Sequence, residues 1–328
     1  MKAIVQDRYG PPETLRLDDV DVPVPAADEV LVRVEAAALN AYDWHIVRGD
    51  PRMARLAWGR PAPRARIRGR DFAGQVTAVG ADVRRLRPGD AVFGDLGDAN
   101  GAFAEYVCVP EALVAAKPAN LTAQQAAALP LAGVTALMGL RDVGRLQPGH
   151  RVLVNGASGG VGTLAVQLAK VLGATVTGVC STRNVDLVRS LGADRVVDYT
   201  RDDFTQIAGP HDLVLDLVGN RSLTALRRSL TPTGTLVLSG GGVFSGGNLL
   251  GPVRLLTSGR LLAPFVRHRI VVLDAAPGRQ HLDTLREHAE AGRLTPVIDR
   301  TYPLHQVPDA IRYLETEHAR AKVVITVP

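Results

Sequence analysis

Residues 151–174 read RVLVNGASGGVGTLAVQLAKVLGA, and the fold follows from how this stretch is read. A short apolar run at 152–154 meets Gly156-Ala157-Ser158-Gly159-Gly160-Val161-Gly162, after which Leu164, Ala165, Leu168, Ala169 and Leu172 recur at helical spacing. The pattern is strand, tight turn, helix. Glycine suits such a turn because the backbone bends with unusual dihedrals, a pyrophosphate can approach it, and the helix can pack close to the strand. The helix start then offers unpaired N–H groups and the positive end of its dipole to phosphates. A glycine triplet alone says little. Here it has a strand before it, an amphipathic helix after it and a second strand at 175–179, which together make a dinucleotide site.

Working outward, 328 residues suffice for about two domains with well-buried cores. An apolar fraction of 46% with 22% charged residues is that of a globular protein. The longest nearly unbroken apolar run, 126–140, contains Pro130 and falls short of the roughly 20 residues that span a bilayer. The opening MKAIVQDRYG enters a strand-like pattern without a secretory signal, so a cytoplasmic location is expected. Cys108 and Cys180 sit in apolar strand-like runs and read as small buried hydrophobes, not a disulfide. The formal net charge is +5, yet only four of the 38 basic residues are lysine (Lys2, Lys117, Lys170, Lys322). An arginine skew of that kind can follow from coding composition, so charge alone assigns no nucleic-acid partner.

Residues 1–118 read as β-rich, with strands expected at 3–5, 30–34, 74–79, 91–93 and 103–109, punctuated by Pro- and Gly-containing turns. Between 38 and 70 the pattern changes to a short helix and a long, proline-broken, arginine-rich loop. Helical signals begin near 121, with Thr122 as the N-cap of a helix at 124–129 and a second helix at 133–145. Strands at 152–154, 175–179, 195–198, 213–217, 235–238 and 270–273 then alternate with helices, which predicts a doubly covered parallel sheet. The tail carries helices at 280–291 and 307–317 and a last strand at 322–327.

Several motifs together resemble the medium-chain dehydrogenase/reductase superfamily in its zinc-independent, quinone oxidoreductase-like (zeta-crystallin-like) branch. They are Asn40-Ala41-Tyr42-Asp43-Trp44, Gly69-Arg70-Asp71-Phe72-Ala73-Gly74, Arg87-Pro88-Gly89-Asp90, Gly101-Ala102-Phe103-Ala104-Glu105-Tyr106, the glycine loop, and Leu191-Gly192-Ala193-Asp194. The resemblance implies an α/β protein: a GroES-like β-rich catalytic domain at 1–120 and 274–328, and a Rossmann doubly wound nucleotide-binding domain at 121–265 with its sixth strand near 270–273. A cleft where nicotinamide meets substrate and a homodimer paired through that sixth strand are also implied. A monomeric mass by light scattering at micromolar concentration would count against the dimer. In zinc-dependent relatives a cysteine stands near Asn40 and a Gly-His-Glu near Gly69. Asn40 and Arg70 here remove a thiolate and an imidazole, and with Cys108 alone between 93 and 109 neither zinc site is expected. Without a Lewis acid, alcohol oxidation lacks its means of stabilising an alkoxide.

The cofactor is read from the end of the second strand, where NAD-binding versions carry an acid for the ribose hydroxyls. This chain has Ser181, Thr182 and Arg183 there, which favour a 2′-phosphate and hence NADPH. Tyr199 at the end of the third strand matches a family position near that phosphate. Thr135, Val218-Gly219 and Ser239-Gly240 match segments lining nicotinamide and ribose. Arg320 and Lys322 are left between a cofactor contact and a solvated turn.

The expected reaction is hydride transfer from NADPH to a quinone or an α,β-unsaturated carbonyl, with hydrogen-bond donors stabilising the developing oxyanion. Asn40 leads, through its amide. Tyr42 follows as donor or proton source, with domain packing as its alternative. Asp43 matches a family position but equally suits the N-cap of the next helix. Trp44 reads as core and His45 as structural. The arginine-rich 48–70 and the mixed apolar and basic 248–269 either line a substrate mouth for an apolar molecule with an anionic group or form a solvated loop and a covering helix. Two competing readings remain: an alcohol or aldehyde dehydrogenase, which stoichiometric zinc would support, and a cofactor-binding protein with a structural or RNA-binding role. The chain offers no aromatic stacking motif for single strands.

Overall fold

The computed structural model describes residues 1–207, 209–240, 253–317 and 319–328. The chain divides into two units, Met1–Val134 with Ala276–Pro328, and Thr135–Ala275.

In the first unit the strands are β1 (Lys2–Gln6), β2 (Leu15–Asp19), β3 (Glu29–Ala38), β4 (Asp71–Val79), β5 (Ala91–Asp95), β6 (Tyr106–Pro110) and β7 (Val114–Ala116). Helices α1 (Ala41–Arg48) and α2 (Arg55–Trp58) lie between β3 and β4, and α3 (Ala123–Ala127) follows β7. Val30, Val32 and Val34 alternate inward along β3 while Glu29, Leu31 and Arg33 are half-exposed, the period of a sheet with one buried face. Thr122 caps α3 as expected, its hydroxyl accepting the Gln125 N–H at 3.2 Å. The chain leaves this unit inside α4 (Pro130–Leu137) and not before α3, because α3 packs on β3 and β4. The helix expected at 133–145 is instead α4 followed by one π-helical turn, Met138–Asp142; a proline in the first turn is compatible with a helix start.

The second unit alternates β8 (Arg151–Asn155), α5 (Gly160–Val171), β9 (Thr175–Cys180), α6 (Val185–Ser190), β10 (Arg195–Asp198), α7 (Phe204–Ile207), β11 (His211–Asp216), α8 (Leu223–Arg228), β12 (Leu230–Leu238), α9 (Val253–Leu262) and β13 (Arg269–Val272). Among the described residues its strand pairs are all parallel, in the order β10-β9-β8-β11-β12-β13. This is the doubly wound order of dinucleotide-binding sheets, which reverses direction beside β8. Leu153, Val179, Val214 and Leu236 are fully buried along its strands, so they read as continuous apolar runs. Of segment 248–269, residues 248–252 lie outside the described residues. The remainder is α9 and a short turn, with Leu261 and Phe265 exposed.

Returning to the first unit, α10 (Arg279–Glu290), β14 (Ile298–Pro303), α11 (Val307–Thr316) and β15 (Lys322–Thr326) complete it. Its seven-stranded sheet runs β14-β15-β3-β4-β5-β7, with β6 also on β3. Register then places the site: Ala38 pairs with both Val324 and Asp71, and Asp71 pairs with Asp95. The end of β3, the starts of β4 and β15, and the end of β5 thereby meet.

Candidate active site

Asn40 follows β3 after Leu39 and caps α1. Its Nδ2 donates to Asp71 Oδ2 at 3.0 Å, while its Oδ1 accepts from Lys322 Nζ at 2.7 Å. Lys322 Nζ also lies 3.3 Å from Asp71 Oδ2, and the Leu131 N–H donates to Asp71 Oδ1 at 3.0 Å. Asp71 is 0% and Lys322 3% exposed, so this is a buried ion pair with an amide between its poles. Burial pushes the Asp71 carboxyl up, and the Lys322 ammonium opposes it. The two partners fix the amide's orientation. The remaining Asn40 N–H faces only the Ala38 carbonyl, at 3.5 Å, too long for a strong bond. It is the donor with capacity to spare. Lys322 is therefore neither a solvated turn residue nor a free cation.

Asp43 is not the cap of α1, a correction to the sequence reading. It stands three residues inside, where its Oδ2 accepts the Asn40 backbone N–H at 2.7 Å. It is 1% exposed, so it orients Asn40 from within and is not presented at the surface. Burial pushes its carboxyl up to about 7, against the pull of the Asn40 N–H. The sign for stability follows. The folded chain keeps this proton at pH values where the unfolded chain has released it, so folding stability falls as pH rises from about 4 to about 7 and is flat beyond. Thermal melts at pH 5 and pH 8 are expected to show a smaller pH difference in Asp43→Asn than in the unsubstituted chain; equal differences would refute this assignment.

Tyr42 donates from its hydroxyl to Asp98 Oδ1 at 2.6 Å, and burial followed by this bond pushes the phenol's pKa well up. The phenol is thus held protonated and aimed at Asp98. Arg70 lies over the Tyr42 ring, 4.7 Å from its centroid, and makes two bonds of 2.9 Å to buried Asp95. Trp44 is buried, as expected. His45 stacks on it at 3.6 Å, with Nδ1 2.7 Å from the Asp50 carbonyl oxygen, which makes it structural.

In the second unit the glycine loop closes as its sequence requires. Gly156 has φ +89°, and an added Cβ on Gly162 would lie 2.0 Å from the Gly156 carbonyl oxygen. Gly159 caps α5, which begins at Gly160 and Val161, while Ala157 is fully buried. The N–H groups of the first turn have no partner within the helix, the arrangement that suits a pyrophosphate. Ser158 Oγ accepts from Asn184 Nδ2 at 3.0 Å, and Ser181 Oγ lies 3.3 Å from the same amide, so the loop and the end of β9 are joined. Arg183 follows in a short turn, Thr182–Asn184.

Thr182 is engaged elsewhere. Its hydroxyl donates to Asp198 at the end of β10, 2.5 Å away, a bond that lowers the acid's pKa. Tyr199, the next residue, is 44% exposed. Val218 packs where a Cβ on Gly156 would fall, and the Val218 and Gly219 N–H groups reach Asp216 Oδ1 at 3.3 and 3.2 Å. Asn155 Nδ2 donates to the same oxygen at 2.7 Å, tying the ends of β8 and β11. The Ser239 N–H bonds the Asp216 carbonyl at 3.1 Å, Gly240 follows with φ +81°, and Thr135 is buried in α4. Sequence reasoning missed Asp71, Asp95, Asp98, Asp198, Asn155 and Asp216. Only Asp71 carried a signal, through its place in a recognised motif.

The family model described as alcohol dehydrogenase GroES-like domain matches residues 26–119, and that described as zinc-binding dehydrogenase matches residues 191–325. The chain is 36% identical to a 2-methylene-furan-3-one reductase of Solanum lycopersicum, over 99% of this chain and 79% of that one. It is 34% identical to an NADPH-dependent alkenal/one oxidoreductase of Arabidopsis thaliana, with 99% and 79% covered. The solved quinone oxidoreductase of Coxiella burnetii superposes with a TM-score of 0.85 at 32% identity, covering 100% of this chain and 99% of its own. Matched in sequence and in fold from end to end, the protein belongs to the medium-chain dehydrogenase/reductase superfamily, in its quinone oxidoreductase-like branch.

Proposed function

We propose that this protein is an NADPH-dependent oxidoreductase that reduces quinones or α,β-unsaturated carbonyls without zinc. The observation that carries the reading is the buried Lys322–Asp71 pair holding the Asn40 amide with one N–H to spare. The relatives' names supply the substrate class. The bound dinucleotide supplies the hydride, and the glycine loop with the first turn of α5 holds its pyrophosphate. On the substrate, hydride addition at the β-carbon moves charge onto the carbonyl oxygen, where the spare Asn40 N–H stabilises it. Tyr42 walls the site with its hydroxyl donating to Asp98, and Asp43, Asp71 and Lys322 act through Asn40 as positioning groups.

The zinc-free reading is supported by the side chains at this site, since no group of three or more His, Cys, Asp or Glu that could hold a metal occurs among the described residues. The Asn40 and Asp71 oxygens face an ammonium at 2.7 and 3.3 Å, and Arg70 replaces an imidazole. An NADPH-oxidation screen with quinones, enones, enoyl thioesters and aldehydes, with metal content measured alongside, tests the reading. Turnover of alcohols with stoichiometric zinc would replace it by the dehydrogenase alternative.

Preference for NADPH rests on Ser181 and Arg183. The nearby Asp198 carboxylate is already bonded by Thr182 and Thr200, with Arg201 Nε 3.8 Å away. Arg183→Ala is expected to weaken NADPH binding about tenfold to a hundredfold and leave NADH within a few-fold. Unchanged NADPH affinity would remove the phosphate clamp. A homodimer is also inferred through β13, which ends the second unit's sheet among the described residues. A cytoplasmic location is proposed with it, and fractionation into a membrane or organelle would overturn it. No helix among the described residues is long and apolar enough to cross a membrane.

A further inference from the structure

Of the eight arginines at 48–70, Arg52 is exposed and Arg68 buried, and the other six fall into two sets. Arg48 bonds Glu315 at 2.7 and 2.9 Å, Arg55 donates to the Gly49 carbonyl at 2.8 Å, Arg66 to Asp7 at 2.8 Å, and Arg70 pairs with Asp95. Arg60 and Arg64 are exposed and, among the described residues, their guanidinium groups make no ion pair or hydrogen bond. Both line one cavity of about 470 Å³, whose other walls are Leu56, Gly59, Pro61 and Ala62. No acid stands between Asp50 and Asp71. A cavity lined by charge of one sign attracts the opposite sign.

The cavity is also anchored. The Arg64 N–H bonds the Trp58 carbonyl at 2.8 Å, closing the turn that brings Arg60 and Arg64 together, and Tyr9 donates from its hydroxyl to the Gly59 carbonyl at 2.9 Å. Trp58 in turn meets Tyr42 edge to face, with centroids 6.1 Å apart. The cavity wall at Gly59 is therefore bonded directly to Trp58, one ring of the aromatic pair that Tyr42 completes two residues after Asn40.

We propose that this cavity binds the anionic end of the substrate, a phosphate or carboxylate carried on a flexible arm whose other end bears the reducible enone. The inference rests on the reading that enones are reduced at Asn40, and narrows it to a substrate class. Two guanidinium groups supply the charge-assisted bonds an oxyanion accepts, while Leu56 and Pro61 face the apolar part of the arm. The geometry predicts that charge at the far end of the substrate acts on binding and leaves the chemical step alone.

The test compares one enoyl group carried as a pantetheine-4′-phosphate thioester and as an N-acetylcysteamine thioester, with a neutral quinone as reference. Expected is a kcat/KM at least tenfold higher for the phosphate-bearing substrate, expressed in KM. Arg60→Gln/Arg64→Gln is expected to remove that advantage and leave the neutral thioester and the quinone unchanged. Equal kcat/KM for the two thioesters, or an advantage that survives the double substitution, overturns the proposal and leaves the enone reading intact. If neither thioester nor quinone is reduced, the enone reading itself fails. Calorimetry with pantetheine 4′-phosphate then decides the cavity separately: binding lost in the double variant upholds an anion site, and no binding in the unsubstituted protein overturns it.

Discussion

Lys322→Met is expected to destabilise the protein by about 3–5 kcal/mol, because it leaves the Asp71 carboxylate buried with no counter-charge. The amide and the Leu131 N–H that remain on Asp71 offset only part of that loss. Activity falls separately. Without the ammonium on its Oδ1, the Asn40 amide is free to rotate, and misplacing an oxyanion donor typically lowers kcat by about a hundredfold. Lys322→Arg should restore part of both. Lys322→Met/Asp71→Leu separates the two effects, since removing both charges recovers most of the stability while Asn40 stays unheld and kcat stays low. Urea melts and quinone-reduction kinetics on the three variants read this directly. A loss under about 1 kcal/mol in Lys322→Met, or full activity in the double variant, would show the network to be incidental.

Gly162→Ala is expected to abolish dinucleotide binding. The added methyl would lie 2.0 Å from the Gly156 carbonyl oxygen and 2.8 Å from Ala157 Cα and C, all of them backbone atoms that no rotamer can clear. Helix α5 would have to retreat from β8 and open the turn proposed to hold the pyrophosphate. Overpacking of this kind costs roughly 1–3 kcal/mol, so the second unit should remain folded. Gly278→Ala, outside the loop at the start of α10, is the control, because its added methyl meets nothing within 4 Å. Titration with NADPH, followed by fluorescence beside a thermal melt, separates binding from folding. Affinity for Gly162→Ala within twofold of the unsubstituted chain would show that close packing of α5 on β8 is not what builds the site.

The part of the protein legible in its sequence is the part where chemistry and local geometry coincide. The turn from β8 to α5 is written in consecutive residues, as is the absence of an acid after β9. The parallel sheet was readable because each buried strand is a continuous apolar run. Strands β2 and β14 were not, since LRLDD and IDRTYP carry charged and half-exposed side chains that hide the alternation. The arginine-rich loop was legible as a composition only. Whether an arginine there is buried on Asp95, as Arg70 is, or open to the cavity, as Arg60 is, depends on partners from other elements.

The sequence by itself determined the strand, glycine turn and helix at 151–174, the family, and which side chains stand in place of the zinc ligands of relatives. Only the tertiary structure decided what those replacements do. Asn40, Asp71 and Lys322 are separated by 31 and 251 residues and meet because β3, β4 and β15 are neighbours in one sheet. A motif shows that an asparagine is present; the buried charges packed on either side of it decide which way its amide points.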